Sequence, residues 1–106
     1  MQAFELNDLI HQASEQNKRS LEFLRVPPMS LGIYRLAAGE PDPQSPHKQD
    51  EVYYVLSGKA KLQEESRLQP VQTGSILLVA AGAVHKFVDI EADLDLLVFF
   101  APAKQN

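Results

Sequence analysis

From Leu21 to Ala101 the chain is a succession of short apolar runs, rich in β-branched, aromatic and leucine residues and broken by turn residues at close intervals. Runs of this length are too short for core helices, and their punctuation is that of an all-β domain. The expected strands are 21–26, 31–37, 52–56, 59–63, 67–72, 75–79, 83–89 and 94–101. Eight strands suffice to close a jelly roll or barrel. Pro27-Pro28 separates the first two, Gly58 marks a hairpin after Leu56, and Thr73-Gly74 marks another before Ser75. The segment 39–46 holds three of the seven prolines, so it cannot pair as a central strand and must be a loop.

Ahead of the β region, Leu6, Leu9, Ile10 and Ala13 recur at helical spacing. They predict one amphipathic helix over about 6–18, with Asn7 or Asp8 placed to cap it. His11 on that helix reads as a solvated surface residue. No internal repeat or linker interrupts the chain, so residues 1–106 are expected to form one domain, with the barrel over about 21–101.

Composition narrows the function. Ten basic and fourteen acidic residues leave a net charge of −4 without a Lys/Arg cluster, which argues against nucleic acid as a partner. With no cysteine, any metal must be bound by nitrogen and oxygen ligands. The N-terminal residues, including Glu5 and Asp8, fit neither a secretory signal nor a membrane span, so a cytoplasmic location is expected. A domain this small buries a limited core, and the apolar segment Leu21–Leu24 is a candidate for pairing with a second copy. A homodimer is the expectation.

The chemistry rests on two of the three histidines. His47 and Glu51 are four residues apart, and in an extended strand that even spacing turns both side chains to one face. His85 follows the Ala81-Gly82 turn and can add a third ligand if its strand lies beside the first. Gln49 and Tyr53 share the parity of His47 and Glu51, and Phe87 shares that of His85, so these can line a pocket or pack. A β-bulge near Pro46 would reverse those assignments.

The spacing around these residues resembles the two motifs of the cupin family. The first motif runs Gly, five residues, His-x-His, three or four residues, Glu, six residues, Gly. Here it is Gly39, five residues, Ser45-Pro46-His47, three residues, Glu51, six residues and Gly58. The second runs Gly, five residues, Pro-x-Gly, two residues, His, three residues, Asn; here it is Gly74, five residues, Ala80-Ala81-Gly82, two residues, His85, three residues and Asp89. The resemblance implies a cupin-type jelly-roll β-barrel with a short N-terminal helix, holding one divalent ion (iron, zinc or manganese) through His47, Glu51 and His85. Ser45 stands where the family's first histidine ligand stands, which implies water or substrate at that position. Two functions follow from the resemblance: a metal-dependent enzyme of the dioxygenase or isomerase type acting on a small molecule, or a non-catalytic module binding a small, sugar-like ligand.

Overall fold

The structure, a computed structural model, describes residues 1–105. It consists of α1 (Leu6–Glu15), β1 (Ser20–Val26), β2 (Met29–Leu36), β3 (Asp50–Glu64), β4 (Arg67–Gln72), β5 (Ile76–Val79) and β6 (His85–Ala101). All strand pairs are antiparallel, in the order β1-β2-β6-β3-β4, with β5 also paired to β3.

Six strands replace the eight expected because two of the expected breaks are bends inside long strands. Residues 52–56 and 59–63 belong to one fifteen-residue strand, and 94–101 and all but the first two residues of 83–89 lie on one seventeen-residue strand, which starts at His85. These two strands pair along nearly their whole length, from Asp50↔Ala101 to Glu64↔His85, with register shifts between Val55 and Lys61. At the shifts the buried parity changes hand. In β3 the inward residues are Glu51, Tyr53 and Val55 before the bend and Ala60 and Leu62 after it. In β6 they are His85 and Phe87, then Ile90, Leu94, Leu96, Val98 and Phe100. An extra residue in a strand exchanges its faces, so a two-strand ribbon with bulges on both members can fold over and keep its apolar side inward through the turn.

Gly58, expected to open a hairpin, sits at this bend with φ of +106°. A Cβ there would stand 2.4 Å from the Asp93 carbonyl oxygen and 2.8 Å from Leu94 Cα. Only glycine permits both the backbone conformation and the close approach of the opposing strand. Thr73-Gly74 is not a hairpin either. The stretch runs β4 then β5 along the same edge of β3, and the Gly74 N–H donates to the Val55 carbonyl at 2.8 Å so that pairing continues across the interruption.

The two halves of the β3–β6 ribbon each seed one sheet of the jelly roll. The half containing the end of β6 carries β2 and β1 on one flank and β5 on the other; the half containing the start of β6 carries β4. The remaining flank of β6 is covered by the proline-rich loop, whose Gly39 N–H donates to the Ile90 carbonyl at 3.0 Å and whose Asp42 carboxylate accepts from the Phe87 N–H at 2.9 Å. A carboxylate thus satisfies a buried backbone donor that no strand pairs on this side. Between the sheets lies one core of Leu36, Tyr53, Val55, Leu62, Val71, Val79, Phe87, Ile90, Leu94, Leu96, Val98 and their neighbours.

The helix packs outside the barrel. Leu9 and Ala13 meet Leu21 and Ile33, with Phe23, Leu56 and Leu97 around them. It is shorter than expected, ending at Glu15, because Asn17 takes a left-handed conformation with φ of +50°. There the Lys18 N–H donates to the Ala13 carbonyl and the Asn17 N–H to Ser14, closing the last turn. Neither Asn7 nor Asp8 caps the start: both lie within the helix, Glu5 holds the cap position without a side-chain bond, and Asp8 faces the positive end of the helix dipole from the first turn. His11 is exposed, beside Glu15 at 3.0 Å. Leu21, expected to serve a dimer contact, is buried under the helix.

The bend predicts an asymmetric response to adding one methyl group. Gly58→Ala should cost about 3 kcal/mol or more, since strain and overlap with backbone add. Gly39→Ala, where a Cβ meets nothing within 4 Å, should cost about 1 kcal/mol for its positive φ alone. Urea unfolding of the two variants checks the order.

Candidate metal centre

His47, Glu51 and His85 come together, each offering a ligand atom within 4.8 Å of the others. Glu51 is the second residue of β3 and His85 the first of β6, both facing inward. His47 is not on the strand as expected but in the loop just before it. The predicted parity nevertheless extends outward: Gln49 and Glu51 are buried while Lys48 and Asp50 are exposed. Two bonds hold this segment against the turn that precedes β6. The Gly82 N–H donates to the His47 carbonyl at 2.7 Å, and the Ala81 N–H donates to Asp50 Oδ1 at 2.9 Å. The two motifs are therefore tied together by one backbone bond and one carboxylate bond, apart from the candidate ligand side chains.

His85 is oriented for ligation. Its Nδ1 lies 2.9 Å from the Ala83 carbonyl, which can only accept, so Nδ1 carries the proton and Nε2 is the nitrogen turned into the site. Nε2 is 3.0 Å from Glu51 Oε1 and 3.1 Å from the Tyr53 hydroxyl. His47 Nε2 lies 4.0 Å from the same Glu51 oxygen, and its ring meets Phe100 edge-on with centroids 5.0 Å apart.

The two imidazoles are tuned in opposite directions. Burial lowers the pKa of His47, and Lys104 and His85 push the same way against the pull of Glu51. Burial also works against charge on His85, but hydrogen bonds to Glu51 and the Ala83 carbonyl, with the charges of Glu51 and Asp42, outweigh it and raise the pKa. Without an ion, a proton on His85 Nε2 does what a cation would do beside Glu51. Tyr53 is held in its neutral form by burial first and by the negative charge of Glu51 next.

Of the other residues singled out, Tyr53 reaches the site, whereas Phe87 packs edge-on against the Tyr53 ring at 5.0 Å. Ser45 is exposed at the rim of the cavity. Gln49 is buried with its Oε1 unpartnered, and it is not among the residues lining the cavity. Two residues escaped the sequence reading. Asp42 is buried in the proline-rich loop, and Gln44 accepts from the Tyr53 hydroxyl at 2.8 Å. A loop has no side-chain period, so nothing in the sequence told which way they face.

The donor set suits a divalent ion: two neutral imidazole nitrogens and a carboxylate oxygen, one ring oriented by a backbone carbonyl. The site opens onto a cavity of about 650 Å³. His47, Glu51 and Gln44 line it beside the site with Ser45 at its exposed rim, Ile33, Val98 and Phe100 give it an apolar wall, and Lys104 and the Arg25–Glu22 ion pair add charge.

Comparison with known proteins agrees with this architecture. The uncharacterized protein SCO3923 of Streptomyces coelicolor is 44% identical over 102 residues, covering 96% of this chain and 97% of its own. An uncharacterized conserved protein with a double-stranded β-helix domain from Klebsiella pneumoniae superposes with a TM-score of 0.77 at 15% identity, covering 96% of this chain and 90% of the other. The DMSP lyase DddQ of Ruegeria pomeroyi matches with a TM-score of 0.67 at 19% identity over 72% of this chain, which spans only 39% of that protein. At these identities the structural matches show a common fold. The family described as "Cupin domain" matches residues 32–100, the span that contains both motifs, all three ligand candidates and the bent ribbon that brings them together. The chain belongs to the cupin family.

Proposed function

We propose that this protein is a metal-dependent cupin in which His47, Glu51 and His85 hold one divalent ion, iron, zinc or manganese, and that it acts on a small molecule in the dioxygenase or isomerase manner. The observation that carries the reading is the convergence of three ligand atoms within 4.8 Å, with His47 and Glu51 lining an open cavity. A bound divalent ion would supply a Lewis acid and an exchangeable coordination position for an oxygen donor. The chain's own groups then set orientation and proton inventory. The Ala83 carbonyl keeps the His85 ring in one tautomer, Phe100 backs the His47 ring, and Tyr53 holds a proton that it directs at Gln44. The apolar wall of Ile33, Val98 and Phe100 beside Lys104 and the Arg25–Glu22 pair fits a small molecule with an apolar body and an oxygen-rich head.

Protein purified without chelator should contain about one such metal per chain. His47→Ala should weaken binding more than about a hundredfold, since it removes a ligand where loss of a mere orienting partner already costs tenfold to a hundredfold. His85 is buried, so His85→Gln is the cleaner second variant and should do the same. Absence of metal from wild-type protein supplied with excess iron, manganese and zinc would overturn the proposal. Oxygen uptake with candidate phenols and diketones then separates an oxygenase from an isomerase.

The opposite tuning of the two histidines predicts the pH dependence. Below the raised pKa of His85 but above the lowered one of His47, the ion must displace one proton, from His85 alone. Affinity should therefore fall about tenfold for each pH unit of acidification in that window and level off above it. Titration calorimetry in buffers of different ionisation enthalpy measures the single proton released.

The proposal includes a cytoplasmic setting, a small-molecule partner with no nucleic acid, and a homodimer. Among the described residues no helix is long and apolar enough to cross a membrane. Support for association comes from Ile76 and Leu78, which are 72% and 71% exposed on β5, with Tyr54 also exposed on the strand paired to it. Light scattering at micromolar concentration should give twice the chain mass, and a monomer would remove this part of the reading.

A further inference from the structure

Ser45 occupies the sequence position of the missing histidine, but it is the residue before it whose side chain enters the site. Gln44 Oε1 lies 3.4 Å from His47 Nε2 and 2.8 Å from the Tyr53 hydroxyl. The direction of its amide is set by Asp42. A carboxylate only accepts, so it takes the NH₂ end of the Gln44 side chain and leaves the carbonyl oxygen turned inward. Asp42 is itself pinned, accepting from the Phe87 N–H at 2.9 Å, from the Tyr34 hydroxyl and from the Gln44 backbone N–H at 3.3 Å. The amide is therefore oriented from behind by a buried anion anchored to β6 and β2.

Five donor atoms then form a closed ring: Gln44 Oε1, His47 Nε2, Glu51 Oε1, His85 Nε2 and the Tyr53 hydroxyl. Successive separations are 3.4, 4.0, 3.0, 3.1 and 2.8 Å. Adjacent ligands bound at about 2.1 Å to a common ion stand roughly 3 to 3.5 Å apart, so the Gln44 oxygen already sits at ligand spacing from its neighbours. Side-chain amide oxygens are ordinary ligands of divalent ions, whereas a neutral serine hydroxyl at an exposed rim is a poor one.

We propose that the side-chain carbonyl oxygen of Gln44 is a fourth protein ligand of the ion held by His47, Glu51 and His85, with Asp42 as the residue that positions it. This rests on the metal-binding reading above. The coordination position left by Ser45 is filled from the adjacent residue, and the set becomes two imidazoles, one carboxylate and one amide oxygen.

The test is titration of the full chain with Co²⁺ and with Mn²⁺, reading affinity by calorimetry and the visible absorption of bound Co²⁺, which reports coordination number and donor type. Gln44→Leu keeps much of the side-chain volume and removes the oxygen. It should weaken binding of both ions about tenfold or more and change the Co²⁺ spectrum, while circular dichroism and the thermal midpoint of the metal-free protein show the fold retained. The double variant Gln44→Leu/Ser45→His offers a nitrogen for the same position and should recover the affinity, with a spectrum unlike that of wild type. Wild-type affinity and spectrum in both Gln44→Leu and Gln44→Ala would overturn the assignment while leaving the three-ligand site standing. Failure of wild-type protein to bind either ion would overturn both.

Discussion

Everything about this barrel depends on two long strands that stay paired while they turn a corner. A flat antiparallel ribbon keeps one parity inside along its length, so the residues at its two ends can never face one another. By exchanging parity on both members at the same place, β3 and β6 fold the ribbon onto itself. Glu51, near one end of β3, then meets His85, whose backbone is paired with Glu64 at the other end of that strand. Glu51 and His85 are thus brought together by the bend itself. The backbone freedom of Gly58 and the left-handed conformation of Asp89, with φ of +48°, are what allow that bend.

This also explains what the sequence could and could not disclose. Parity is readable within a run: Gln49, Glu51 and Tyr53 share one face, His85 and Phe87 share another, and all five are buried. A break in parity looks the same in sequence whether the chain reverses or merely bends, because both need glycine or a short polar stretch. Local pattern therefore places strand breaks at Gly58 and at 90–93, where the chain only bends. What decides between the two is the partner strand: Gly58 packs against the Asp93 and Leu94 backbone, and that approach is a long-range fact absent from local pattern. The convergence of His47, Glu51 and His85 is legible for the opposite reason. Its members lie at fixed offsets from turns that the backbone needs in any case, so the spacing survives although the strand count does not.

The centre carries an electrostatic tension that the surrounding structure tolerates only because it is fully connected. Glu51 and His85 are almost wholly removed from water, and neither could be buried alone without a large desolvation cost. Glu51 is compensated by His85, and His85 by Glu51, by the Ala83 carbonyl and by Tyr53. Replacing the proton on His85 Nε2 with a divalent ion keeps that compensation and adds charge where His47 and the cavity face it. A network of this kind is poised for exchange of one cation for another, since both states satisfy the same buried acceptors.

The proline-rich loop turns from a connector into part of that network through Asp42. Loops carry few cooperative hydrogen bonds, and a ligand supplied from one is ordinarily imprecise, because nothing fixes its approach. Here the loop runs beside the open flank of β6, where an unpaired Phe87 N–H must be satisfied. The carboxylate that satisfies it also grips the amide of Gln44, so one buried anion closes the barrel edge and aims a side chain at the metal position. A strand in the same place would have paired the Phe87 N–H with a carbonyl and left no carboxylate there. Ser45 at the family's first histidine position, Gln44 beside it and Asp42 behind it therefore belong to one arrangement: the side chain that faces His47 and Tyr53 comes from the adjacent residue, and the edge-closing carboxylate gives it the fixed direction that a loop position lacks.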